Sequence, residues 1–220
     1  MKPWEKLATT TTPDGSWLEL RHHDGEYVIA ADGYDLMTSR MHGSEDAMMS
    51  LACPEPSPEA CVLIGGLGMG YTLRATLDLL PPTGSVVVSE LVPDVIEWNR
   101  GPLGPLAGSP LDDPRTTIAL GDVGKAIRDS AYRFDAILLD VDNGPDALTQ
   151  RTNGWLYSPA GLEAARHALK PKGALAVWSV GNDAGFERRL TAAGFEPSTH
   201  RVSTHGTSRK RQFVFVGRRG

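Results

Sequence analysis

At 220 residues, with 40% hydrophobic and 22% charged positions, the chain has the size of one globular domain with a substantial core and leaves no room for a second full domain. Its formal net charge of −5 and sequence pI near 5.7 argue against nucleic acid as an obligate partner, because counterion-release binding needs a basic face. The only cysteines, Cys53 and Cys61, belong to no CxxC or Cys/His cluster, so neither a disulfide framework nor a metal site is expected.

The opening stretch MKPWEKLATTTTPDG has no apolar signal-peptide core, and no run approaches the roughly 18 apolar residues of a membrane span. A soluble, cytoplasmic protein with no membrane partner is expected. From Trp17, WLELRHHDGEYVIAADGYDLM alternates apolar and polar residues around Asp24-Gly25 and Asp32-Gly33, which are hairpin turn signals. These predict a small antiparallel β-hairpin appendage within residues 1–42. GSEDAMMSLAC then predicts a helix capped by Ser44, with Glu45 and Asp46 in its first turn, ended by the proline-rich CPEPSPEA.

After Ala60 the rhythm changes to short apolar runs separated by helical segments. CVLIG, SVVVSE, TTIAL, FDAILLD and ALAVWSV read as strands covered on both faces, followed by a last pair near 195–202 and 211–217. YTLRATLDLL and SPAGLEAARHALK have helical spacing, the second opening on Ser158-Pro159. Residues 43–220 are therefore expected to form a doubly wound, Rossmann-like α/β domain, mostly parallel with an antiparallel last strand. The basic residues of RKRQFVFVGRRG read as a solvated strand edge.

GGLGMG, Gly65 to Gly70, follows the first parallel strand and runs directly into a helix. Glycines there admit a sharp turn and close approach of a ligand, and the helix N-terminus offers free amide donors. Glu90 closes the next strand 20 residues beyond Gly70, where a carboxylate can accept both ribose hydroxyls. The third glycine of a dinucleotide fingerprint would fall where Tyr71 stands. Gly66, Gly68 and Gly70 therefore fit a mononucleoside such as S-adenosylmethionine better than NAD; the alternative is a structural strand-to-helix turn. At the end of the third strand Asp122 can meet an adenine amino group, with Leu91 and Val123 flanking the ring, or can cap the helix that follows.

The order and spacing of DGEYVIAADG, the helix with Glu45, VLIGGLGMG, VVVSELVPDVIEWN, GDV, FDAILLDVD and LYSPAGLEAARHALKPKGALAVW resemble the spermidine synthase family, aminopropyltransferases on the class I methyltransferase fold. The resemblance places Glu90 on the ribose, Asp122 near the adenine and Asp140 as the catalytic carboxylate facing an attacking amine. It also implies a homodimer, with the hairpin segment as its contact. Three positions depart from the family pattern. The aspartate of its GGGDGG motif is Gly68 here, its Tyr-His-Glu is Gly43-Ser44-Glu45, and its Asp-Ser-Ser-Asp-Pro is Asp140-Val141-Asp142-Asn143-Gly144.

The chemistry at the fourth strand end is read accordingly. Asp140, Asp142 and Asp146, with Glu45, suit a cationic amine substrate, Asn143 lies in the second amine-binding position, and Trp155 and Tyr157 form an apolar or cation-π wall. Asp142-Asn143-Gly144-Pro145 is equally good turn chemistry. Gly68 removes a partner for the ammonium of decarboxylated S-adenosylmethionine, which favours methyl transfer from S-adenosylmethionine to a small substrate. Aminopropyl transfer is the second reading, and a nucleoside-binding protein without turnover the third.

Overall fold

The computed structural model describes residues 3–141, 145, 153–204 and 211–220. Its first element is an antiparallel sheet of four strands, β1 (Glu5–Thr11), β2 (Trp17–His23), β3 (Glu26–Ala31) and β4 (Tyr34–Thr38), paired in chain order. Both Asp-Gly signals make the tight turns expected of them, with positive φ at Asp24, Gly25, Asp32 and Gly33. The hairpin expectation falls one strand short. EKLATTT of β1 is mostly exposed, so no apolar alternation marks it, and its threonines were the only β signal. Leu18, Leu20 and Ile29 share one buried cluster with Met48, Met49, Ile64 and Met69, which seats the small sheet on the main domain.

Helix α1 (Gly43–Ala52) follows. Ser44 does not cap it. His42 takes the N-cap position without a side-chain cap bond, and Ser44 lies inside the first turn, fully buried. The main sheet contains β5 (Cys61–Gly65), β6 (Ser85–Glu90), β7 (Thr116–Leu120), β8 (Phe134–Leu139), β9 (Leu169–Ser179), β10 (Phe195–Ser203) and β11 (Arg211–Arg219) in the order β10-β11-β9-β8-β5-β6-β7. β5 to β9 pair in parallel with one another, and β11 lies antiparallel between β9 and β10.

Val62, Leu63 and Ile64 of β5, like Ala136, Ile137 and Leu138 of β8, are completely buried, because helices cover both faces. Those helices are α2 (Tyr71–Leu79), α3 (Pro93–Arg100), α4 (Val123–Arg128), α5 (Pro159–Ala168) and α6 (Ala184–Ala192). Ser158 caps α5 as expected, its hydroxyl accepting from the Gly161 amide at 3.2 Å. β9 starts at Leu169, directly after α5, instead of near Ala174; Lys172 takes a positive φ of 67° where the register with β8 shifts.

Arg218 and Arg219 correct the solvated-edge expectation. Arg218 donates to the carbonyls of Leu51 and Ala52 at 3.0 Å, the C-terminal end of α1. Arg219 donates to the carbonyls of Arg166 and Leu169 at the end of α5 and lies 4.7 Å above the Tyr132 ring. Both guanidinium groups thus satisfy helix-end carbonyls and oppose the negative end of the dipole.

Candidate active site

Chain order passes β5, β6, β7 in one direction and returns through β8 on the other side of β5, so the carboxyl ends of β5 and β8 flank a topological switch point. The glycine loop leaves β5 there. Gly66 has φ +83°, and a Cβ on it would lie 2.5 Å from the Asp140 carbonyl oxygen, so only glycine lets the two strand ends approach this closely. The Asp140 amide donates to the Gly65 carbonyl at 3.0 Å, tying the loop to β8. Gly70, also at φ +83°, is the N-cap of α2.

At Gly68 the space a side chain would occupy belongs to Met37 of β4, whose Sδ would stand 3.0 Å from an added Cβ. The Gly68 carbonyl accepts from Asn99 Nδ2 at 2.8 Å. Asn99 is 2% exposed, and its Oδ1 has no partner among the described residues. That oxygen lies 3.1 Å from where a Cβ on Gly70 would be, so an unused acceptor faces the start of α2.

Glu90 is 7% exposed. Its Oε2 accepts from the Leu67 amide and its Oε1 from the Val92 amide, each at 2.8 Å, so the carboxylate braces the glycine loop against the start of α3. Burial raises its pKa above the usual range, opposed by these amide bonds. The Leu91 amide also acts on the carboxylate, and its remaining lone-pair directions suit a ribose hydroxyl. At the end of β7, Asp122 accepts from the Gly124 amide at 2.8 Å and caps α4; Gly121, at φ +144°, has open space on the side where a Cβ would point. Val123 is buried, whereas Leu91 is 46% exposed and Leu120 61%. This leaves apolar surface beside Asp122 fit for a flat ring.

On the other side of the switch point, Asp140 and Glu45 interact electrostatically. Thr72, in the first turn of α2, donates to Asp140 Oδ2 at 2.9 Å. Glu45, 6% exposed on α1, is pushed up to about 7, first by burial and then by the Asp140 charge. His42 opposes that shift; its ring stacks on Tyr71 at 3.9 Å and 10°, and its Nδ1 lies 2.7 Å from Asp46. A paired carboxyl and carboxylate beside a glycine loop can hold a cation and take up a proton.

Trp155 and Tyr157 are not placed as the expected wall. Trp155 packs beside Gly124, on the Asp122 side, with the Arg128 guanidinium 4.4 Å from its ring centre. Tyr157 is 6% exposed, its ring edge-on to Phe186 at 5.9 Å within the core cluster under α5 and α6. Asp142, Asn143, Gly144 and Asp146 lie outside the described residues. Residues the sequence did not single out complete the site: Thr72, Tyr71, Asn99 and Met37. A threonine in the first turn of the helix that follows the glycine loop was the one local signal among them.

The family model for the spermine/spermidine synthase domain matches residues 42–187. The chain belongs to the spermine/spermidine synthase family. Its relatives include the polyamine aminopropyltransferases of Korarchaeum cryptofilum, 30% identical over 60% of this chain and 40% of that protein, and of Leptospira biflexa, 28% identical over 68% and 51%. The chain therefore spans about half the length of the curated relatives it matches. Spermidine synthase from Thermotoga maritima superposes with a TM-score of 0.77 at 19% identity, covering 98% of this chain and 72% of that one, which shows the shared Rossmann-like fold. Among the described residues no helix is long and apolar enough to cross a membrane, and no group of three or more His, Cys, Asp or Glu could hold a metal ion.

Glu45 is pushed up to about 7 in the folded state from an ordinary 4.5, so the folded state holds a proton that the unfolded state releases. The resulting stabilisation is complete below about pH 4.5 and is lost as pH rises to about 7. Glu45→Gln keeps the side chain neutral and is expected to flatten this slope, gaining about 2–3 kcal/mol over the wild type at pH 8. Urea unfolding at pH 5 and pH 8 measures it; parallel pH slopes in the two proteins would contradict the assignment.

Proposed function

We propose that this chain is an aminopropyltransferase that uses decarboxylated S-adenosylmethionine as donor and a small amine as acceptor. The observation that carries this reading is the pairing of Asp140 with buried Glu45 beside the glycine loop, in a chain of this family. The expectation of methyl transfer gives way here, because the relatives that match are polyamine aminopropyltransferases. The aminopropyltransferase activity of those relatives supports the aminopropyl donor.

The donor undergoes in-line displacement at the carbon beside its sulfonium: an N–C bond forms, the C–S bond breaks, and methylthioadenosine leaves as a neutral thioether. Glu90 would hold the ribose, and Asp122 the adenine against Leu91 and Val123. Asp140, fixed by Thr72 and by its amide bond to Gly65, would orient the neutral amine and take its proton as charge develops on nitrogen. Glu45 adds a second acid group that offsets the acceptor's charge. The free thiols of Cys53 and Cys61 fit a reducing cytoplasm.

Met37 over Gly68 leaves an apolar contact where the family motif carries an aspartate. Discrimination against the carboxylate-bearing donor is therefore expected to be weak, within about tenfold in affinity. Calorimetry with S-adenosylmethionine, its decarboxylated form and methylthioadenosine, followed by product analysis with 1,4-diaminobutane, tests the proposal. Release of methylthioadenosine from the decarboxylated donor is expected. A methylated acceptor formed from S-adenosylmethionine, with no methylthioadenosine from either donor, would overturn it.

A further inference from the structure

Behind Glu45 lies a polar cluster formed by three distant segments. Ser44 Oγ, completely buried, has three neighbours. Trp178 Nε1 of β9 donates to it at 3.0 Å. Gln212 Oε1 of β11 lies 2.6 Å away, and Glu45 Oε2 is in hydrogen-bond contact.

An indole N–H only donates, and a hydroxyl carries one hydrogen and two acceptor positions. With Trp178 donating, Ser44 has one hydrogen to offer to two carbonyl-type oxygens. With any Glu45 proton held on Oε2, the oxygen that meets Ser44, two arrangements satisfy every group. Either Glu45 is a carboxylic acid that donates to Ser44 while Ser44 donates to Gln212 Oε1, or Glu45 is a carboxylate that accepts from Ser44 while the Gln212 amide is turned over and its NH₂ donates to Ser44. The charge on Glu45 and the orientation of Gln212 are thus linked, since any mixed arrangement strands a buried polar group at a cost of about 1–3 kcal/mol.

Gln212 is half-buried and stands at the rim of an open space. With Met41, Val180, Thr204 and Arg211 it borders a cavity of about 320 Å³, so the amide face away from Ser44 meets a space large enough for water. The ionisable groups acting on Glu45 come from both sides. Asp140 at the end of β8 raises its pKa and His42 ahead of α1 lowers it; Tyr71 of α2 in turn is raised first by burial, then by the charges of Asp46 and Glu45. Arg218, on β11, bonds carbonyls at the far end of α1.

We propose that Ser44, Trp178 and Gln212 are a positioning network that holds Glu45 either as acid or as carboxylate, Gln212 reversing its amide with the proton, and that a cationic amine arriving opposite Asp140 selects the carboxylate. The second half rests on the aminopropyltransferase reading; the first does not. In the free protein Asp140 supplies the negative charge, and a neutral Glu45 avoids repulsion beside it. When an ammonium group enters, the Glu45 proton leaves to solvent, and the pair presents two negative charges to the cation. The acceptor's charge is thereby matched only when it is present.

The test is an NMR titration of the full chain with ¹³C-labelled glutamate carboxyls and ¹⁵N-labelled glutamine side chains, from pH 5 to pH 9. In the wild type the Gln212 NH₂ signals are expected to move with the Glu45 carboxyl at one shared midpoint. Gln212 signals that stay flat while Glu45 titrates overturn the network, and this arm needs no variant. Trp178→Phe, which removes only the N–H donor, and Ser44→Ala are expected to separate the two responses; continued coupling in both also overturns it. Addition of 1,4-diaminobutane is expected to lower the shared midpoint by roughly one pH unit, the effect of an opposite charge at close range. An intact switch whose midpoint the diamine leaves unchanged sinks the amine reading and leaves the network standing.

Discussion

Asp140→Asn is expected to lower turnover of the aminopropyl reaction by about 10²–10⁴-fold, the usual contribution of a positioned general base, while donor affinity and thermal stability stay close to wild type. The substitution is nearly isosteric. Thr72 can still donate to the amide oxygen, and the backbone bond from residue 140 to the Gly65 carbonyl is untouched, so the glycine loop keeps its anchor. What is lost is a proton acceptor and one negative charge. Glu45 then no longer feels the Asp140 charge and its pKa falls, remaining raised by burial alone. Steady-state kinetics, donor titration and a thermal melt on the same preparation separate these effects. Full activity in the Asn variant would remove Asp140 from the chemistry, and loss of donor binding would make it a structural group of the loop.

Much of this arrangement was legible in the chain because its signals are local. Strands buried on both faces announce themselves as unbroken apolar runs, and CVLIG, SVVVSE, TTIAL and FDAILLD fall within a residue of where they were expected. Asp122 and Ser158 cap helices through amides two and three residues ahead, which spacing alone can show. Signals that depend on distant partners were not readable. Ser44 has good capping chemistry, yet it is committed to Trp178 and Gln212, 134 and 168 residues away, and the cap position passes to His42. Tyr157 followed the loop in sequence and was expected to line it, but the core under α5 and α6 takes its ring. Arg218 and Arg219 looked like a solvated edge because the carbonyls they satisfy belong to α1 and α5. Gly68 was readable as a missing carboxylate; that Met37 fills its place was not, since β4 reaches it only through the tertiary fold.

Glu90→Ala is expected to produce the largest loss of stability, on the order of 2–6 kcal/mol, because it leaves two amides, those of Leu67 and Val92, without their acceptor in a buried setting at about 1–3 kcal/mol each. Alanine cannot replace either bond, and the carboxylate's position at the end of β6 leaves no neighbour described as bonding the same amides. The loss has a functional companion. Leu67 lies within the glycine loop, so releasing its amide loosens the turn that Gly66 and Gly70 shape, and affinity for all three nucleosides should fall together, whatever group hangs from their sulfur. The pH dependence has the same sign as at Glu45. The Glu90 pKa is raised by burial, so its protonation favours the folded state at acid pH and that contribution is lost as pH rises above the usual carboxylate range. The deficit of the Ala variant should therefore be greatest at acid pH. Glu90→Gln retains a side-chain oxygen for one amide but turns an NH₂ toward the other, and should fall between wild type and Ala in both urea unfolding and nucleoside titration. A Glu90→Ala protein with wild-type stability would show that the loop is held by β5 and β8 alone; preserved stability with nucleoside binding lost would confine Glu90 to the ligand.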